Sequence, residues 1–335
     1  MRASEPFSEA FEFASGAIGE RFQNPLWFLT EVVFGTRFRQ AVAEVKTFGS
    51  VVVSTALKKR SIVTTDGESA ALPDEEDSAS QIKGSLINSL IDEIGDPVVV
   101  ADAALNYLSA GRDTTAQALT WTFYLLMRHT QVVENIRKEL DDVAAEQEHS
   151  RLTFESIQST IMPYTLAAFY ESLRLYPPVP FEIKQCTRAT SLPDGTHLPA
   201  EAVVVWCPWA MNRSTRIWGQ DAYAYRPERW LDISVDLDNC GRGSKATFRP
   251  RTQHEFPVFN GGPRTCLGKK MAELQAVYVI ATLVDQFDFR EVKSAEGQSV
   301  ERRSRNSLTL PMEGGLPCLT SVSTRRMAFS SPKAS

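Results

Sequence analysis

The stretch Phe259-Asn260-Gly261-Gly262-Pro263-Arg264-Thr265-Cys266-Leu267-Gly268 is the most constrained part of the chain. Two adjacent glycines and a proline make a backbone that is neither regular helix nor strand. From Leu267 to about Phe287 apolar residues recur at helical spacing, so Cys266 stands at the entrance to a helix. Unpaired N–H groups and the macrodipole stabilise a thiolate in that position. Gly268 leaves the first turn without a side chain, so a large flat ligand can approach the backbone. The plain alternative is a buried structural cysteine at a glycine-rich turn.

Upstream of this loop, residues 211–258 carry Pro, Gly, Arg and Asn with little periodicity, and include Tyr225-Arg226-Pro227-Glu228-Arg229-Trp230. An irregular stretch of that length inside a compact domain is functional or structurally pinned. Phe181–Trp209 reads as strands, with turns at Pro193-Asp194-Gly195 and near Pro199. Before it, Pro163 opens a helix in which Leu166, Phe169, Tyr170 and Leu173 repeat, and Pro177-Pro178 ends it. That helix holds Glu171-Ser172-Leu173-Arg174, a Glu and an Arg on one face. Shorter helices are expected near Gln131–Glu148 and Thr153–Ser159. A long helix starts at Asp96-Pro97, with Asp as cap and Pro at its first position, and runs to about His129. At 1.5 Å per residue it is roughly 50 Å long. In its middle lies Ala110-Gly111-Arg112-Asp113-Thr114-Thr115, whose glycine and threonines should loosen or kink it. The first sixty residues read as amphipathic helices. Residues 64–81 are acidic and small, a mobile surface loop, and the polar tail 323–335 reads as disordered.

The chain has 335 residues, 43% of them hydrophobic, with 36 basic against 41 acidic residues and a net charge of −5. With no basic block, it offers little for a nucleic-acid backbone to hold, so no nucleic-acid partner is expected. No apolar run approaches the ~18–20 residues that span a bilayer. Five cysteines without a C-x-x-C, and four histidines without an H-E-x-x-H, argue against a disulfide framework, a zinc ribbon and zinc hydrolase chemistry. A cysteine hydrolase using Cys266 needs a base. His254 is available, but nothing marks a triad or an oxyanion hole.

The pattern F-x-x-G-x-R-x-C-x-G resembles the haem-thiolate loop of the cytochrome P450 family. The resemblance implies a mainly α fold with a small β portion, here the C-terminal part of the cytochrome P450 fold, with the long central helix and the cysteine loop. It implies haem b as cofactor, with Cys266 as the axial iron ligand. It further implies Arg264 on a haem propionate, Phe259 on the thiolate side of the ring, and Gly268 in the loop. Lys184, ten residues after Arg174, stands where the family often has an arginine reaching a propionate; an ordinary strand lysine is the alternative. Glu171, Arg174 and Arg229 match the family's buried Glu–Arg–Arg network, with Tyr225 where phenylalanine is commoner. Within A-G-R-D-T-T, the family's oxygen-activation groove, Thr114 would order water and deliver a proton to dioxygen, with Asp113 relaying protons.

By resemblance the chain is a haem-thiolate monooxygenase that inserts one oxygen atom of dioxygen into a small hydrophobic substrate. Its electrons would come from an NADPH–cytochrome P450 reductase-type donor. The arginine in A-G-R-D-T-T is similar to that of fungal alkane and fatty-acid hydroxylases. Members of the family carry a considerably longer N-terminal region, a W-x-x-x-R helix and, in eukaryotes, an anchor in the endoplasmic reticulum membrane. None is found here, so residues 1–322 are expected to form one partial, N-terminally truncated domain without an anchor. The competing expectation is a non-catalytic remnant with weak or no haem binding.

Overall fold

The computed structural model describes residues 6–21, 24, 26–65, 86–146, 152–234, 245–305 and 309–323. Of the expected loop 64–81, Thr64 and Thr65 end a helix instead, and residues 66–81, like the tail beyond 323, lie outside the described residues. By its internal packing the chain divides into two compact units, Met1–Asp113 and Thr114–Ser335.

The first unit is helical: α1 (Pro6–Arg21), α2 (Trp27–Thr65), α3 (Leu86–Ile94) and the start of α4 (Pro97–Arg128). Small side chains let α1 and α2 approach closely, with Ala10, Ala14 and Ala41 buried between Phe13, Phe38 and Val45. Val53, Val100 and Ala101 form a second cluster with Leu57, Ile87 and Leu90. Asp96 Oδ1 accepts the Val98 N–H at 2.9 Å, the cap expected from the sequence. The helix passes through Gly111–Thr115 without a break, contrary to the expected loosening. Long flanking turns on both sides carry the poor helix formers, because helix propagation is cooperative.

The second unit is built around α6 (Pro163–Leu175), in which every residue but Tyr164 is buried. A helix enclosed on all sides must be apolar all round or satisfy its polar groups internally. The end of α4, α5 (Thr130–Glu146) and α9 (Lys269–Gln286) enclose it. On α5 the buried stripe is Val132, Ile136, Leu140 and Val143, at helical spacing. The expected helix near Thr153–Ser159 is instead a set of turns. There the Ser156 hydroxyl donates to Thr153 O and accepts the Thr153 N–H, a local alternative to helix.

Four antiparallel two-stranded sheets complete the unit. They pair β1 (Glu182–Gln185) with β4 (Val203–Trp206) and β2 (Thr190–Ser191) with β3 (His197–Leu198). The others are β5 (Leu231–Ser234) with β6 (Lys245–Phe248) and β7 (Phe287–Glu291) with β8 (Cys318–Val322). The turn between β2 and β3 uses Gly195 at φ +88, with Asp194 Oδ1 accepting the Thr196 N–H. Trp209, the expected end of the strand region, lies in a short helix, α7 (Pro208–Met211), and α8 (Thr215–Trp218) follows. Ser323 is fully buried, and its N–H donates to Gln286 O. No described helix is long and apolar enough to cross a membrane.

Candidate functional site

The irregular segment is held from below by one carboxylate. Glu171, fully buried on α6, accepts from Arg174 Nε and Nη2 at 2.8 Å each and from Arg229 Nε at 3.0 Å. The Trp230 indole N–H and the Arg226 backbone N–H also donate to it, at 2.9 and 3.0 Å. Arg174 spends its remaining donors on the carbonyls of Asn212, Ala222 and Ala224. Arg229 reaches Asp221 and Trp218 O. Two guanidiniums thus tie down Asn212, Trp218, Asp221, Ala222 and Ala224. The Glu171–Arg174–Arg229 network is therefore present as the sequence implied. The roles of Trp230, Asp221 and the three carbonyls carry no local sequence signal. Tyr225 departs from phenylalanine at no cost, because its buried hydroxyl donates to Ala168 O at 2.9 Å.

The cysteine loop follows. Pro257–Phe259 and Gly262–Arg264 form two single 3₁₀ turns, joined through Asn260 at φ +57, ψ −166 and through Gly262 at φ +60. Asn260 is in a region almost reserved for glycine, a strain of about 1–3 kcal/mol of the kind that gathers at functional sites. It is held there by its side chain, whose Nδ2 donates to Glu182 Oε1 on β1. Gln253 Oε1 accepts the Gly262 N–H, and a Cβ on Gly261 would lie 2.1 Å from that same oxygen. Gln253 is a support that the motif does not announce. The Cys266 N–H donates to Phe259 O at 2.8 Å and closes the loop.

Cys266 is a free, exposed thiol, and Leu267 beside it is 79% exposed. The helix α9 begins three residues on, at Lys269, with Gly268 as its cap residue. A Cβ on Gly268 would meet no atom within 4 Å, so the space over this turn is open. Phe259 lies below, 5.9 Å from the Tyr170 ring and 5.5 Å from Lys269 Nζ. Arg264 and Lys184 line one cavity of about 470 Å³ together with Trp206, His254 and Asn260. Lys184 Nζ sits 5.9 Å from the Trp206 ring, and Arg264 has no carboxylate partner among the described residues. Partial burial raises the Glu182 carboxyl pKa, against the opposing charge of Lys184 and the Asn260 hydrogen bond.

Asp113 and Thr114 are consecutive on α4 and half-buried. Burial raises the Asp113 pKa, opposed by Arg112, whose Nη1 is 3.6 Å from Asp113 Oδ1. Arg112 is itself oriented by α1, donating to Ser8 Oγ at 2.9 Å and lying 3.7 Å from Glu12. Sequence reasoning gave this arginine no part in setting the Asp113 charge.

The family model for cytochrome P450 matches residues 79–319. The chain belongs to the cytochrome P450 family. It is 34% identical to "Cytochrome P450 94A1" of Vicia sativa over 317 residues, covering 93% of this chain and 56% of that protein. "Cytochrome P450 94A2" of the same plant is 33% identical, over 93% of this chain and 56% of its own length. "Alkane hydroxylase MAH1" of Arabidopsis thaliana is 36% identical over 217 residues, 65% of this chain and 38% of that protein. The chain therefore spans little more than half the length of the cytochromes P450 it matches.

Membership of this family implies a haem-iron cofactor with a thiolate ligand. The residues present fit such a group. An exposed thiol stands two residues from open space at Gly268 and two from Arg264, a guanidinium suited to a carboxylate. Among the described residues no cluster of three or more His, Cys, Asp or Glu side chains could hold a metal ion.

Proposed function

We propose that this chain is a haem-thiolate monooxygenase acting on a hydrophobic, alkane- or fatty-acid-like substrate. The observation that carries the reading is the exposed Cys266 thiol on its closed loop, in a chain of the cytochrome P450 family. Haem b, when bound, would supply reductive activation of dioxygen, favoured by electron donation from a thiolate ligand. In this reading Cys266 holds the iron, Arg264 and Lys184 take the propionates, and Phe259 supports the loop from beneath. Gly268 leaves the ring room to lie against the backbone.

Asp113 relays protons in this reading, its carboxyl pKa raised by burial and opposed by Arg112 beside it. The Thr114 hydroxyl orders water and moves a proton toward dioxygen. Electrons come from an NADPH–cytochrome P450 reductase-type donor. The substrate class is supported by the alkane hydroxylase among the relatives and by the arginine in A-G-R-D-T-T.

The test is a carbon monoxide difference spectrum of the reduced, haem-supplemented protein. A red-shifted Soret band lost in Cys266→Ala is expected. Absence of haem uptake would overturn the catalytic reading in favour of a non-catalytic remnant. Once haem is bound, Thr114→Ala should consume electrons without matching product. Unchanged coupling would remove Thr114 from the proton path.

A further inference from the structure

Gly262 through Leu267 are all exposed, so packing does not fix the crown of the cysteine loop. Beside the ties from Gln253 and Glu182, the loop is held at its two ends, and one side chain reaches both. Tyr170 on α6 is 2% exposed, and its ring lies 5.5 Å from Phe256 and 5.9 Å from Phe259. Phe256 precedes, and Phe259 ends, the 3₁₀ turn from which the loop departs. Trp230 and Phe248 pack on the same ring at 5.2 and 4.8 Å. The Tyr170 hydroxyl donates to Glu273 Oε1, in the second turn of α9, beyond the loop's other end.

A phenol on a carboxylate is a charge-assisted bond, stronger than a neutral one. Burial, and then the Glu273 charge, raise the Tyr170 pKa far above the ordinary phenol value. The hydroxyl therefore keeps its proton and stays the donor. Between these two anchors the Cys266 N–H donates to Phe259 O at 2.8 Å. The acceptor of that closing bond belongs to a residue resting on the Tyr170 ring, while the helix that follows Cys266 is tied to the Tyr170 hydroxyl. A shift at either end moves the thiol.

We propose that Tyr170 is a positioning residue for Cys266: its ring on Phe256 and Phe259 and its hydroxyl on Glu273 fix both ends of the cysteine loop, and so fix where the thiol stands. The inference rests on the haem-thiolate reading for what the thiol holds, and on geometry alone for the clamp. Tyr170 and Glu273 lie 103 residues apart, and neither belongs to the cysteine motif.

The test is hydrogen exchange at the Cys266 amide of the full, haem-free chain, read against the Phe169 amide inside α6. Tyr170→Phe and Glu273→Ala should each speed Cys266 exchange about tenfold and leave Phe169 unchanged, as a local opening does. Glu273→Gln keeps an acceptor oxygen and should stay close to the native rate. The double variant, Tyr170→Phe with Glu273→Ala, should be no faster than either single one, because both remove the same bond. Should Tyr170→Phe fail to fold, Glu273→Ala, at a partly exposed site, carries the same comparison. Unchanged Cys266 exchange, equal acceleration at Phe169, or multiplied effects in the double variant would each overturn the proposal. With haem and carbon monoxide on the reduced protein, the red-shifted band of Tyr170→Phe should be lost about tenfold sooner than the native band. An equally persistent band would overturn the proposal too. A native chain that takes up no haem would instead overturn the haem-thiolate reading, and the exchange rates would still decide the clamp.

Discussion

Glu171 accepts five hydrogen bonds, and its two guanidinium partners are almost wholly buried. Replacing it by Ala strands the Arg174 charge in a desolvated interior, while Arg229 keeps only its bridge to Asp221. The expected loss is about 3–5 kcal/mol of stability, since an uncompensated buried charge is the dominant cost. Tyr225→Phe is the natural comparison, since it removes a single hydroxyl bond to Ala168 O and should cost about 1 kcal/mol. Urea denaturation of the two variants decides the point. A Glu171→Ala protein no less stable than Tyr225→Phe would mean the network does not hold the segment. The Glu–Arg spacing on α6 was readable because both residues share one helix face. The Trp230 and Arg226 partners were not, because they come from 55 to 59 residues further along the chain.

At the scale of elements, prolines marked the helix starts faithfully, at Pro97 and Pro163, because a missing N–H costs nothing in the first turn. What caps those starts was only half legible. Asp96 caps α4 from the adjacent residue, but α6 has no side-chain cap from its own N-terminus. Glu139 on α5 supplies it, accepting the Tyr164 and Thr165 N–H groups and the Thr165 hydroxyl at 2.6–2.9 Å. Burial raises the Glu139 pKa from 4.5 to about 7 despite those bonds. Between these values the folded chain keeps a proton that the unfolded chain releases, so rising pH favours unfolding. The Glu139 contribution is full below about pH 4.5 and is lost as pH passes 7. The urea midpoint should therefore fall between pH 5 and pH 7.5, and Glu139→Gln should flatten that fall. An equal fall in the variant would show that other groups set the slope. At Thr153–Ser159 the expected helix gave way to turns for a related reason: reciprocal Thr–Ser bonds outcompeted it.

Over the whole molecule, Phe259, Arg264, Cys266 and Gly268 of the second unit lie outside its α-helices and strands. Their order along the chain was legible from motifs. Their support was not, since Gln253 and Glu182 act through tertiary position alone. The pinning of the irregular segment by α6 has a kinetic corollary. Its ties join residues 38 to 59 apart, so they form only after long loops have closed. Once formed, they open only when α6 itself is released. The Arg226 amide, bonded to a buried carboxylate and outside any helix or strand, should exchange its hydrogen as slowly as amides in the middle of α6. Native-state hydrogen exchange on that one amide measures whether this loop unfolds with the core or ahead of it.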